Sequence, residues 1–212
     1  MLYKNHEVSC HGVSHRTQTV LPAQNIIQEI LEDRRALEKM SGTFVRGMSY
    51  ANGFYSEEAI NTIKSCGIVY ARKACVTGIG QNKIPFQFPD DFMKWRPTCH
   101  HRDCLEQGEL FLKHHVEVYR STPRLLYVYG HSYEFDRDDN WELIEDFCKM
   151  MSGNEKIWYA TSIELYEYIT SQKQLVVSVD NKRVYNPTGI RIWFSDDYGT
   201  YSVGPGEIIE IK

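Results

Sequence analysis

Between Pro22 and Gly42 the apolar residues Ile26, Ile27, Ile30, Leu31, Leu37 and Met40 recur at three- and four-residue spacings. This predicts an amphipathic helix entered at a proline and stopped by a glycine. The next stretch, "TFVRGMSYANGFY", predicts a short strand at "TFV" running into a glycine-containing loop, after which Ser56 caps a second helix, "EEAINTIKSC", closed by Gly67. Residues 68–72, "IVYAR", predict another strand, and residues 77–91 a polar loop leading into "FMKWRPTCHHRD". "CLEQGELFLKHHVEVY" has helical spacing, and "PRLLYVYGHSYEF" holds a nearly continuous apolar strand ending at Gly130 and His131. Asp139 or Asn140 caps the helix "WELIEDFCKMM", stopped by Gly153, and "IWYAT" with "SIELYEYITSQ" supplies one more strand and helix.

Strands alternating with helices of this length predict repeated βα units on a mainly parallel sheet. After about Gln174 short β-branched runs are split by Asp-Asn, Asn-Pro and Gly-Pro-Gly turns, which predicts a small antiparallel appendage. The expected organisation is an α/β domain over residues 1–173 and a β-rich appendage over residues 174–212.

Composition narrows the partners. The 212 residues are 42% hydrophobic and 25% charged, as in an ordinary globular protein. A net charge of -4 gives no basic footprint, so nucleic acid is not an expected partner. Six scattered cysteines point to reduced thiols. Without a signal-like start or an apolar run of about 18 residues, the expectation is a cytoplasmic chain with no membrane partner.

Parallel βα folds gather reactive groups where the strands end and the following loops converge. Three polar stretches fit that rule: His11 to His15 after "EVSC", residues 46–53 after "TFV", and Gly130-His131 after "LLYVY". Four-residue spacing puts the imidazoles of His11 and His15 on one side of a turn, within reach of one divalent cation. Two ligands do not complete a hydrolytic metal site, which takes a third, usually acidic, protein ligand and an open position for water. In "PTCHHRDC" the C-x4-C spacing has no second knuckle partner, so His100 and His101 are expected to line a pocket or its rim.

In order along the chain, these motifs resemble the polysaccharide deacetylase family, the carbohydrate esterase group that includes chitin and peptidoglycan deacetylases. "HEVSCHGVSH" resembles its His-x-x-x-His metal motif, "VRGMSYANG" its arginine-containing loop, and "LLYVYGHSYEF" its late strand ending in a catalytic histidine. The resemblance implies an irregular (β/α) barrel of about seven strands. It also implies hydrolysis of an acetyl group, usually an N-acetyl, from a sugar with a divalent metal, commonly zinc. His11 and His15 would be metal ligands, His131 the general acid, and Arg46 the group orienting the acidic base. Backbone amides near Ser49 and Tyr50 would help bind the oxyanion. Tyr50, Trp95, His100, His101 and Tyr133 are the residues expected to contact an acetylated sugar or polysaccharide.

The family's Asp-Asp motif, which supplies the base and the third metal ligand, normally lies some tens of residues before the histidines, whereas His11 stands ten residues from the start. Three arrangements stay open: an N-terminally truncated enzyme, a remnant that binds sugar or metal without turnover, or substitution by Glu7 or Asp103. A barrel lacking its first strand would expose edge groups, which predicts self-association into a homo-oligomer. The alternative to the enzyme is a non-catalytic carbohydrate- or metal-binding protein on a degenerate deacetylase fold.

Overall fold

The computed structural model describes residues 4–74, 86–116 and 123–212. Cys75 and residues 77–85 of the expected loop lie outside the described residues. The chain divides into two compact units, Met1–Tyr159 and Ala160–Lys212.

In the first unit the proline-to-glycine pattern forms helix α1, Ala23–Ser41, with Gly42 in the left-handed conformation (φ 71°) that ends it. Its Ile26 and Ile30 are fully buried against Val45, Met48, Ile60, Ile63 and Ile68. Strand β1, Gly47–Ser49, pairs in parallel with β2, Tyr70–Arg72, through the crossover helix α2, Glu57–Ser65. The α2 cap is the expected one, the Ser56 side chain accepting from the Ala59 amide. Cys10 extends the array by a parallel bridge to Met48, and Trp95 by one to Arg72. Further on, β3, Cys99–His100, pairs in parallel with β4, Val128–Tyr129, across helix α3, Cys104–Phe111. Residues 95–100 thus meet β2 near one end and β4 near the other. Every pairing in this unit is parallel, so successive strands end toward the same side.

Three expectations are corrected here. The strand read at "TFV" forms at Gly47–Ser49 instead. "GHSYEF" does not continue the late strand: β4 stops at Tyr129 and helix α4, Ser132–Asp138, begins. "IWYAT" joins no ladder, and among the described residues no pairing links β4 back to the Cys10 segment, so no barrel closes. The ladders are two or three residues long, giving a mixed α/β unit with small sheets. Helix α5, Trp141–Met151, packs Phe147, Met150 and Met151 with Phe86 and Phe111 in a second core.

The second unit opens with helix α6, Ser162–Gln172, whose N-terminus carries a capping box between Thr161 and Glu164. Antiparallel pairing then joins β5 (Val176–Val177), β6 (Arg183–Tyr185) and β9 (Ile208–Glu210), and separately β7 (Ile192–Ser195) and β8 (Thr200–Val203). Val184, Ile192 and Val203 form its core, and the buried Asn186 amide donates to the carbonyls of Ile190 (2.8 Å) and Val203 (3.0 Å). No helix among the described residues is long and apolar enough to cross a membrane.

Candidate functional site

The loop after Cys10 is built on two carboxylates one turn apart on α1. Asp33 Oδ2 accepts from the amides of His11 (2.7 Å) and Gly12 (2.9 Å), and Glu29 accepts from the Ser14 amide (2.9 Å) and hydroxyl (2.5 Å). Gly12 (φ 85°) and His15 (φ 52°) adopt left-handed conformations, and a Cβ at Gly12 would stand 3.1 Å from Glu29 Oε2. Burial would raise the Glu29 pKa, yet the Ser14 hydrogen bonds hold it below its ordinary value.

This loop brings the rings of His11 and His15 edge to face, 4.7 Å between centroids. His11 Nδ1 lies 2.8 Å from the Ser49 carbonyl oxygen, so it carries the proton and Nε2 keeps a free lone pair. A donor fixed through its other nitrogen to a backbone carbonyl is the usual state of a metal-ligating imidazole. The two histidines therefore fit part of a metal site. Among the described residues no carboxylate joins them as a third ligand, and the nearby Asp33 and Glu29 are engaged by backbone amides.

The shifted strand sets the loop motif. Arg46 precedes β1, its carbonyl accepting from the Val69 amide (2.7 Å), whereas Tyr50 follows the strand at its other end. The Ser49 amide donates to the Cys10 carbonyl (2.9 Å) and the Tyr50 amide to that of Arg72 (3.0 Å). Both amides are thus held in the sheet, not presented to an oxyanion. Tyr50 is a core residue whose hydroxyl donates to the Met93 carbonyl at 2.8 Å, and burial pushes the phenol up. Trp95 is likewise buried, edge-on to Tyr70, Phe92 and Tyr127.

A second cluster forms where β3 and β4 end. Glu134, in the first turn of α4 and only 8% exposed, sends Oε2 to His100 Nε2 at 2.9 Å, His131 Nδ1 at 3.5 Å and His101 Nδ1 at 3.6 Å. Its Oε1 stands 3.5 Å from both Arg102 and Arg137, which also pair with Asp138. Burial alone would raise the Glu134 pKa, but the imidazoles facing it together hold it below the ordinary value. Burial also pushes His100 and His101 down, outweighing the attraction of Glu134. The cluster therefore carries an ionised carboxylate among neutral buried imidazoles near neutral pH. His131 and Tyr133 differ from them in being exposed, with ring centroids 5.2 Å apart. A cavity of about 300 Å³ opens beside them, lined by His101, Tyr129, His131, Phe135, Ile144 and Phe147 among others.

Of the residues expected to form a site, the structure joins His11 with His15, and His100, His101, His131 and Tyr133 around one cavity. Sequence reasoning missed Glu134, Asp33 and Glu29. The signal for Glu134 is its place three residues after His131, which brings the two together only if a helix turn starts there. For the others it is the i, i+4 acidic pair on α1.

Residues 1–71 match the family model for polysaccharide deacetylases. No curated protein sequence matches the chain. Among solved structures, the putative polysaccharide deacetylase from Mycobacterium smegmatis is similar, with 15% identity, a TM-score of 0.54, and coverage of 80% of this chain and 64% of that one. A deacetylase of Streptococcus pyogenes, PplD, in complex with acetate shares 14% identity over 30% of this chain and 28% of that one (TM-score 0.29). A mutant of a CE4 family pseudoenzyme with restored enzymatic activity shares 14% identity over 68% and 44% (TM-score 0.36). The chain spans less than two thirds of the length of each of these structures. Through its first 71 residues, which carry both loop histidines and the β1–β2 crossover, the chain is related to the polysaccharide deacetylase family.

Proposed function

We propose that this chain is part of a metal-dependent hydrolase that removes acetyl groups, N-acetyl first among them, from a carbohydrate. The observation that carries the reading is the bond from His11 Nδ1 to the Ser49 carbonyl, which presents Nε2 as a free donor beside His15, inside the segment that matches the family. His11 and His15 would hold the cation, probed first as zinc. Bound there, a divalent metal supplies a polarised acetyl carbonyl and a water acidic enough to attack near neutral pH.

The chain's own groups do the rest. Asp33 and Glu29 hold the histidine loop by its amides, so the two imidazoles keep their mutual geometry without substrate. His131, at the end of β4, carries the proton that the departing amine takes, a transfer suited to an imidazole whose ordinary pKa lies near neutrality. Its neighbour Tyr133 offers an exposed ring on which a sugar face can stack. The carboxylate that acts as base and third ligand is not among the groups gathered around His11.

The test is acetate release from N-acetylglucosamine oligomers with added zinc or cobalt, for this chain and for a longer version extended upstream. The expected result is metal-dependent acetate from the extended form, lost in His11→Ala and His131→Ala. No acetate from the extended form on several acetylated sugars would refute the proposal. Sugar binding unaffected by chelators and by His131→Ala would favour a carbohydrate-binding protein instead.

A further inference from the structure

The cluster at Glu134 is separate in sequence from the family-matched segment and has a chemistry of its own. His101 is 2% exposed, and neither ring nitrogen has a hydrogen-bond partner in the structure; Glu134 Oε2 is equally buried and unpartnered by hydrogen-bond geometry. Buried polar atoms are rarely left so. Three of these atoms, on His100, His101 and Glu134, lie within 4.8 Å of one another.

We propose that His100 Nε2, His101 Nδ1 and Glu134 Oε2 form a second site for a divalent transition metal, with zinc or cobalt as the matching ions. Tetrahedral zinc with bonds of 2.0–2.1 Å separates its ligand atoms by about 3.3 Å. The observed separations from Oε2, 2.9 Å to His100 and 3.6 Å to His101, bracket that value, so small rotations of two side chains suffice. Two imidazoles and one carboxylate are a set that selects zinc-like ions over calcium or magnesium, which prefer all-oxygen shells. The fourth position faces the cavity, where water or a substrate oxygen can enter.

One proton must move for this to happen. His100 Nδ1 now accepts from the Arg102 amide at 3.3 Å, which places the ring proton on Nε2, pointing at Glu134. Coordination through Nε2 requires the other tautomer, with the proton on Nδ1 and that long bond given up. His101 needs no such exchange, since both its nitrogens are unpartnered. Gly130 makes room for it: any side chain there would overlap the His101 ring at Nδ1. His131, exposed at the cavity rim, stays outside the ligand set.

The experiment is a cobalt titration of the 212-residue chain carrying His11→Ala and His15→Ala, followed by its visible absorption and by displacement with zinc. The expected result is one equivalent bound with a tetrahedral spectrum, unaffected by millimolar calcium or magnesium. Adding Glu134→Gln or His101→Ala is expected to weaken binding at least tenfold, while His131→Ala leaves the affinity unchanged. No cobalt bound by the double variant, or undiminished affinity in Glu134→Gln, would overturn the assignment. If His101→Ala does not fold, X-ray absorption at the cobalt edge of the double variant decides: two imidazoles and a carboxylate support the site, and fewer than two imidazoles overturn it. The readout is metal binding, so its failure is distinguishable from a failure to release acetate.

Discussion

Gly130→Ala is a small change with a large expected effect. The added Cβ would overlap His101 Nδ1 and stand 2.8 Å from Cγ and 3.0 Å from Cε1 of the same ring. The ring has little freedom to slide, because its centroid lies 4.1 Å from that of His100 and 4.4 Å from that of Phe135. It must swing away from Glu134 or push α4 outward. Overpacking of this kind costs about 1–3 kcal/mol. At roughly 2–4 °C per kcal/mol for a unit of this size, the melting temperature should fall by about 2–12 °C. The assay is thermal unfolding followed by circular dichroism, paired with cobalt affinity, which should drop at least tenfold. A melting temperature within about 1 °C of the parent and unchanged affinity would refute the placement of His101.

Three further outcomes follow from the site. Asp33→Ala removes the acceptor of two backbone amides, at about 2–3 kcal/mol for charged, half-buried hydrogen bonds; hydrogen exchange at His11 and Gly12 should accelerate, and unchanged protection would count against the loop's construction. Glu29 has a folded pKa held below its ordinary 4.5, so its contribution to stability is complete above that pH and is lost as pH falls through the folded value. Glu29→Gln should flatten thermal stability between pH 5 and 3, and an identical slope would contradict the assignment. Burial, with the nearby Asp33 charge adding to it, pushes the Cys10 thiol up to about 12, whereas Cys148 is exposed. A thiol reagent at pH 8 should label Cys148 and leave Cys10, read by mass spectrometry, and labelling of Cys10 in the folded chain would show the first strand to be misplaced.

How much of this was legible in the sequence depends on whether the signal was local. Helix α1 shows in its periodicity and its Pro22 and Gly42 ends, and the His11–His15 pair shows in its spacing, because both are set within a few residues. Strand β1 was misplaced because Gly47 is a poor strand residue by propensity. Its reason for being there is tertiary: it lies opposite Tyr70, whose ring fills the space a Cβ would need and whose hydroxyl donates to Glu7. That four-residue shift moved Arg46 to the start of the strand and put the Ser49 and Tyr50 amides into the sheet. Glu134 was invisible for the same kind of reason. Tyr129, His131, Tyr133 and Phe135 alternate like a strand, but the chain turns into a helix after His131, and only that turn brings Glu134 against histidines from β3.

The most direct test of a metal-dependent hydrolytic site is an anomalous difference map collected at the zinc edge from crystals of the zinc-loaded chain. The account predicts a peak within bonding distance of His11 Nε2 and the His15 ring. A map in which these two histidines bind no zinc, at zinc concentrations that saturate the protein, would contradict it.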